Sequence, residues 1–200
     1  FVSRRLCILV AALVAALLVV PAAFALRVHV RVEGKTRTIY GSAEPSLQVG
    51  TNALDALESA SVAGEFYYHV TATSFGPYVD QIGRYVAGAS TGWVFKVNGV
   101  SPPVGADAVQ LKEGDHVLWY WATFGAKGGP PTLTLRAGVK RGCYRVGSQN
   151  DAGKTTAARG ARLHVDGRSV RARSGSACVG KHRGLVTATL KGAIRSNAMR

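Results

Sequence analysis

Leu26 to Glu33 (LRVHVRVE) alternates apolar and polar residues with a period of two, the pattern of a strand with one buried face. Glu33-Gly34-Lys35 turns that run into a second alternating segment, Thr36 to Tyr40, so a hairpin is predicted. Thr51 stands as the N-cap of a helix whose Leu54, Leu57 and Val62 fall on or near one face, with Asp55 and Glu58 outside it and Gly64 as the stop. Phe66 to Thr73 is strand-like, and Phe75 to Tyr85, carrying Gly76-Pro77, reads as a loop or short helix. Trp93 to Val97 is a strand, Asn98-Gly99 a hairpin turn, and the chain returns through Pro102 and Pro103 to a strand ending at Leu111. Lys112-Glu113-Gly114-Asp115 makes another turn before a last strand, His116 to Thr123.

The period of two divides these strands into faces. Trp93, Phe95 and Val97 share one face, with Val94 and Lys96 on the other; Val117, Trp119 and Trp121 oppose His116, Leu118 and Tyr120. One face is uniformly apolar and the other is mixed, the asymmetry that a sheet with one helix packed on a single face requires. After Ala126-Lys127-Gly128-Gly129-Pro130-Pro131, a linker by composition, the pattern changes to short strands: Thr132 to Arg136, Gly142 to Ser148, Ala161 to Val165, Arg168 to Arg173 and Leu185 to Leu190. Their spacing and the Asp166-Gly167 turn predict a small β-sandwich, immunoglobulin-like in outline, with a thin core whose only aromatic is Tyr144.

Charge separates the same two parts. Residues 26–125 carry 7 Lys and Arg against 9 Asp and Glu, whereas residues 126–200 carry 16 against 2, so the formal net charge of +14 belongs to the second part. Ahead of both, Arg4 and Arg5 precede an apolar run from Leu6 to Val20, then Pro21 and Ala23-Phe24-Ala25. A basic head, a run shorter than the ~20 residues that span a bilayer and an A-x-A end predict a signal peptide over residues 1–25 and a secreted or envelope-associated protein. The division expected is therefore 1–25 signal peptide, 26–125 first domain, 126–131 linker and 132–200 second domain. Cys143 and Cys178 remain after cleavage, and an even pair in an oxidising compartment predicts a disulfide.

Catalytic chemistry is not signalled. His29, His69, His116, His164 and His182 are scattered, and no G-x-S-x-G, H-E-x-x-H or phosphate loop occurs, so no catalytic and no metal-binding residues are expected. Asp107 and Asp115 read as turn residues. The basic part lacks the interleaved aromatics that stack bases, so no nucleic acid is expected; attraction to an anionic cell-wall polymer follows from its charge.

The order A-L-x-A-L (Ala53 to Leu57), G-x-Y-V-x-x-I (Gly76 to Ile82), G-W-x-x-x-V-N-G (Gly92 to Gly99) and G-A-D-x-x-x-L-x-x-G-D-x-V-x-W-x-Y (Gly105 to Trp121) resembles the transcobalamin-like C-terminal domain family over roughly residues 45–125. Trp121 departs from that family's W-x-Y ending. The resemblance implies an α+β, β-grasp-like first domain but does not deliver the ligand: in the animal carriers cobalamin is clamped between this domain and a large helical barrel, which these 200 residues do not supply.

One small sheet with one helix cannot bury three tryptophans, Phe95, Phe124, Tyr120 and the Tyr67-Tyr68 pair together, so an exposed aromatic surplus is expected. Phe75 and Tyr78 on their loop, Trp93, Asn98 in its turn, Tyr120 and Trp121 are the candidate ligand-binding residues. The function expected is a non-catalytic binding module for a small molecule or an envelope protein partner. The alternative is a structural or adhesive surface protein whose tryptophans are all buried.

Overall fold

The computed structural model describes residues 26–126 and 128–200. The expected signal peptide and Lys127 of the expected linker lie outside the described residues.

The first part of the chain runs β1 (Leu26–Glu33), β2 (Thr38–Tyr40), β3 (Ser46–Val49), α1 (Ala53–Gly64), β4 (Tyr68–Thr73), β5 (Gly76–Ile82), β6 (Tyr85–Val86), β7 (Thr91–Val97) and β8 (His116–Thr123). The five-stranded main sheet has the path β2-β1-β8-β7, with β3 also pairing β1. β1 and β8 run parallel at its centre, and every other pairing in the sheet is antiparallel. A second sheet, β4-β5-β6, packs with α1 on one face of the first.

Cross-strand register places Trp93 opposite Trp121, Phe95 opposite Trp119 and Val97 opposite Val117. Val28, Val30 and Val32 of β1 continue that face, and Ala53, Ala56, Leu57 and Ala60 of α1 close over it. Small residues on the buried side of α1 let the helix lie close to bulky indoles. The cap differs from expectation: Asn52, not Thr51, accepts from the Leu54 and Asp55 amides, and the Asp55 carboxylate accepts from the Asn52 and Thr51 amides. Val62 lies outside the buried stripe and is exposed.

Two stretches fold otherwise than their patterns predicted. Phe75 to Tyr85 forms a strand, β5, and the start of β6, because β4 supplies an antiparallel partner that local composition does not reveal. The run to Leu111 is no strand; it makes turns and isolated bridges, and its Ala106 and Val109 carbonyls accept from the Ala53 amide at the helix start. Pro102 and Pro103 withhold the amides that a ladder would need.

The second part comprises β9 (Thr132–Ala137), β10 (Cys143–Gln149), β11 (Thr155–Ala157), β12 (Arg162–Val165), β13 (Arg168–Arg171), β14 (Ser176–Cys178) and β15 (Thr187–Thr189). β10 pairs with β9, β11 and β14 in one sheet, and β13-β12-β15 form another. The two sheets share a core of Leu133, Leu135, Tyr144, Val146, Leu163 and Val186 with small alanines. Cys143 and Cys178 are opposed across β10 and β14 and form a disulfide. Among the described residues the chain is thus mostly β-sheet, with one helix and one disulfide.

The mixed face of the main sheet is largely covered: it docks on the second part through charged side chains, with Arg27 and His116 left exposed at its margin. Glu33, with 0% of its surface accessible, meets Arg31 at 3.2 Å and Arg195 at 2.8 Å and accepts from the Thr38 hydroxyl. Arg31 also donates to the Arg195 carbonyl at 2.8 Å and to Glu44 at 3.1 Å. Lys96, likewise 0% accessible, reaches Asp151 at 3.3 Å and donates to the Asn150 carbonyl at 2.9 Å and the Thr132 hydroxyl at 3.2 Å. Buried charges persist in proteins when they are paired and hydrogen-bonded, and both conditions hold here.

Candidate functional site

The most exposed aromatic surface belongs to the β4–β5 hairpin. Its tip is closed by Thr73, whose hydroxyl donates to the Gly76 carbonyl at 2.7 Å and accepts from the Phe75 amide at 3.2 Å. Gly76 turns the chain at φ +105°, a conformation that side chains disfavour, and Phe75 is left 97% exposed. Tyr78 follows on β5, partly exposed. Its hydroxyl lies over Gly92 of β7, where a Cβ would sit 2.8 Å from it. The absent side chain at Gly92 therefore lets the hairpin rest on the main sheet. Burial, with the Asp80 charge second, pushes the Tyr78 hydroxyl above its ordinary pKa. On the same hairpin Asp80 accepts from Thr71 at 2.7 Å and pairs with His69 at 2.7 Å; the Thr71 hydroxyl, then His69, hold its carboxyl below the usual range.

Behind this edge stands a cluster of Tyr85, Trp93 and Trp121, with ring centroids 5.5 to 6.5 Å apart. Trp93 is 2% exposed and its Nε1 donates to the Tyr85 carbonyl at 2.9 Å; Trp119 Nε1 donates to the Ala53 carbonyl. Among the described residues Trp121 Nε1 is buried without a partner, although its neighbours satisfy theirs. Leaving a buried donor unpaired costs about 1–3 kcal/mol.

Of the six residues expected at a ligand edge, Phe75 and Tyr78 lie together on the exposed hairpin, with Trp93 and Trp121 buried behind the sheet end that it covers. Asn98 is elsewhere. It adopts φ +52° beside Gly99 at φ +83°, both positive as a type I′ turn requires. Its side chain donates to Asp115 at 2.8 Å and accepts from the His116 amide at 2.9 Å, bracing the turn. Tyr120 points the opposite way from Trp121, is 2% exposed, and packs over Lys96 at the docked face. Burial, then the Asp151 charge, push its hydroxyl up to about 12.

A polar cleft of about 430 Å³ opens between the two parts, lined by Arg31, Glu44, Asn98, His116, Arg136 and Asn197 among others. On its rim the His29 and His116 rings stack with centroids 4.5 Å apart, and both Nδ1 atoms meet Glu44, His29 at the backbone carbonyl and His116 at the carboxylate. Sequence reasoning did not single out Tyr85, Arg31, Glu33, Lys96 or Arg195. Charged residues at inward positions of an alternating strand were the available signal for three of them, since Arg31, Glu33 and Lys96 all fall on the mixed face. Among the described residues no three His, Cys, Asp or Glu side chains gather as a metal site, and no helix is long and apolar enough to cross a membrane.

A family model described as a domain of unknown function (DUF4430) matches residues 50–123, from just before α1 to the end of β8. β1, the strand that β8 pairs with in parallel, precedes the matched segment. No curated protein matches the chain. Among solved structures, the chain is similar to a metal-binding candidate from Ruminococcus gnavus ATCC 29149 determined at 1.30 Å, with 14% identity and a TM-score of 0.39. The similarity covers 50% of this chain and 99% of that one.

Proposed function

We propose that the chain is a secreted, non-catalytic binding module that takes a small-molecule ligand or a partner segment at the edge formed by Phe75 and Tyr78. The single observation carrying this reading is Phe75 at 97% exposure on a hairpin tip that local hydrogen bonds hold in place. Phe75 and Tyr78 together put two exposed aromatic rings on one ordered hairpin, the kind of loop surface that binding sites use.

The strand path, with a parallel central pair flanked by antiparallel neighbours and one helix crossing a single face, supports a β-grasp-like fold for the first part. The motifs resembling the transcobalamin-like C-terminal domain make a cobalamin-type molecule the first ligand to try. The Cys143–Cys178 disulfide supports an oxidising destination. The rival reading, a structural or adhesive surface protein, is favoured by one observation: Trp93, Trp119 and Trp121 all lie in the core.

Calorimetric titration of the purified protein with hydroxocobalamin and a small panel of related cofactors separates the two. Saturable micromolar binding, lost in Phe75→Ala and Tyr78→Ala, is the expected result. A flat response across the panel removes the cofactor and leaves a protein partner or the structural role.

A further inference from the structure

We propose that the second part of the chain carries an oxyanion-binding cleft, formed where the β9–β10 loop meets the segment after β14, that takes the repeating anionic groups of an extended polymer. This gives the expected attraction to anionic envelope polymers a location, and it is independent of the aromatic edge.

The cleft encloses about 910 Å³, and the side chains around it include Lys140, Arg141, Lys181, His182 and Arg200. No Asp or Glu side chain lines it among the described residues. The only two carboxylate side chains of residues 126–200 are engaged elsewhere. Asp151 pairs with Lys96 at the docked face, and Asp166 accepts the Arg183 and Gly184 amides at 3.0 and 2.8 Å. Among the described residues no Asp or Glu side chain neutralises the cations of the cleft, unlike Arg195, which meets Glu33.

The floor is open because it is built from glycine and held by covalent and hydrogen bonds. Gly142, at φ +73°, approaches the Gly180 carbonyl so closely that a Cβ would lie 2.5 Å from that oxygen. Gly142's own carbonyl accepts from the Val179 amide at 2.8 Å, and the adjacent disulfide locks β10 to β14. Tyr144 and His182 form the inner wall, joined at 2.7 Å, while His182 Nδ1 meets the Gly184 carbonyl at 2.9 Å. A carbonyl accepts only, so Nδ1 carries the proton when the ring is neutral and Nε2 accepts from the tyrosine. Asp166 fixes the loop that presents Lys181 and His182. Rigid walls with flexible cationic side chains at the rim suit a chain of regularly spaced phosphates or carboxylates, which Lys and Arg meet without sequence or stereochemical selectivity.

The test compares the purified protein with two triple variants of equal charge loss, Lys140→Ala/Arg141→Ala/Lys181→Ala in the cleft and Arg159→Ala/Arg162→Ala/Arg171→Ala on exposed positions outside it. Affinity for poly(glycerol phosphate) and for poly-L-glutamate is measured over a salt series. The cleft variant is expected to bind at least tenfold more weakly, with the slope of log affinity against log salt reduced by about one to three, while the other variant changes less than threefold. Tighter binding of the first polymer assigns phosphodiester as the preferred group, and of the second carboxylate. On the unaltered protein, bound polymer should shield Lys140 and Lys181 from amine acylation while Lys154 and Lys191 stay reactive. Equal weakening in both variants, uniform acylation, or binding confined to anionic lipid vesicles would overturn the proposal.

Discussion

Replacing Glu33 by alanine should be among the most damaging single changes in this protein, although nothing about Glu33 is catalytic. Its carboxylate is wholly inaccessible and is shared between Arg31, 3% exposed, and Arg195, 22% exposed, from opposite parts of the chain. Removing one partner of a buried ion pair costs about 3–5 kcal/mol because the other charge stays dry and unpaired. Two features lower that here: Arg31 keeps Glu44 at 3.1 Å and the Arg195 carbonyl at 2.8 Å, and Arg195 can turn to water. The Thr38 hydroxyl also loses its acceptor, worth about 1 kcal/mol. A net loss of about 3 kcal/mol follows, or roughly 6–12 °C in melting temperature for a chain of this size. Arg195→Ala, which strands no dry charge while Arg31 remains with Glu33, should cost about 1 kcal/mol. Urea unfolding followed by tryptophan fluorescence measures both. Glu33→Ala within about 0.5 kcal/mol of the unaltered protein, or Arg195→Ala costing as much as Glu33→Ala, would refute the buried-network reasoning.

Alkaline pH offers a second test. Between the ordinary tyrosine value of 10.0 and about 12, the unfolded chain has lost the Tyr120 proton while the folded protein retains it, so stability falls as pH rises through that window. Two pH units correspond to about 3 kcal/mol from this one group. Lys96 acts in the other direction: burial lowers its folded value, so the cost of its charge is relieved as pH climbs toward 10.5. Tyr120→Phe should therefore flatten the fall in urea midpoint above pH 10, and parallel slopes in the two proteins would contradict the assignment. Opening the Cys143–Cys178 bridge by a double change to serine frees a loop of 34 intervening residues, for an expected loss of roughly 4 kcal/mol. That loss should appear in a melt as separation of the second part from the tryptophan-reporting first, and an unshifted melt would count against it. Acrylamide should quench the three buried indoles only weakly, and strong quenching would contradict the core placement of Trp93, Trp119 and Trp121.

The period-two pattern was legible wherever a strand had one apolar face. β1, β7 and β8 follow it closely, and the cross-strand register of Trp93 with Trp121 and Phe95 with Trp119 is what those faces require. Patterns failed where pairing partners decide structure. β5 holds only because β4 and β6 flank it, and the short strands β11 and β14 are ladders to β10 with little apolar content of their own. The candidate residues divided for a related reason. Phe75 and Tyr78 could be grouped from their loop, but alternation alone sends Tyr120 to the face opposite Trp121, and Asn98 is spent on its turn. The mixed face was recognised as mixed. Its partner could not be foreseen, because an ion pair between Glu33 and Arg195 joins residues that no local pattern connects.

Binding at the exposed Phe75–Tyr78 edge is the central claim, and a ¹H–¹³C aromatic spectrum of the purified protein tests it most directly. With hydroxocobalamin added, the ring resonances of Phe75 and Tyr78 should shift, while the Nε1–H resonance of buried Trp119, bonded to the Ala53 carbonyl, stays fixed. If the Phe75 and Tyr78 rings remain where they were while the ligand is bound, the binding edge is not at Phe75 and Tyr78.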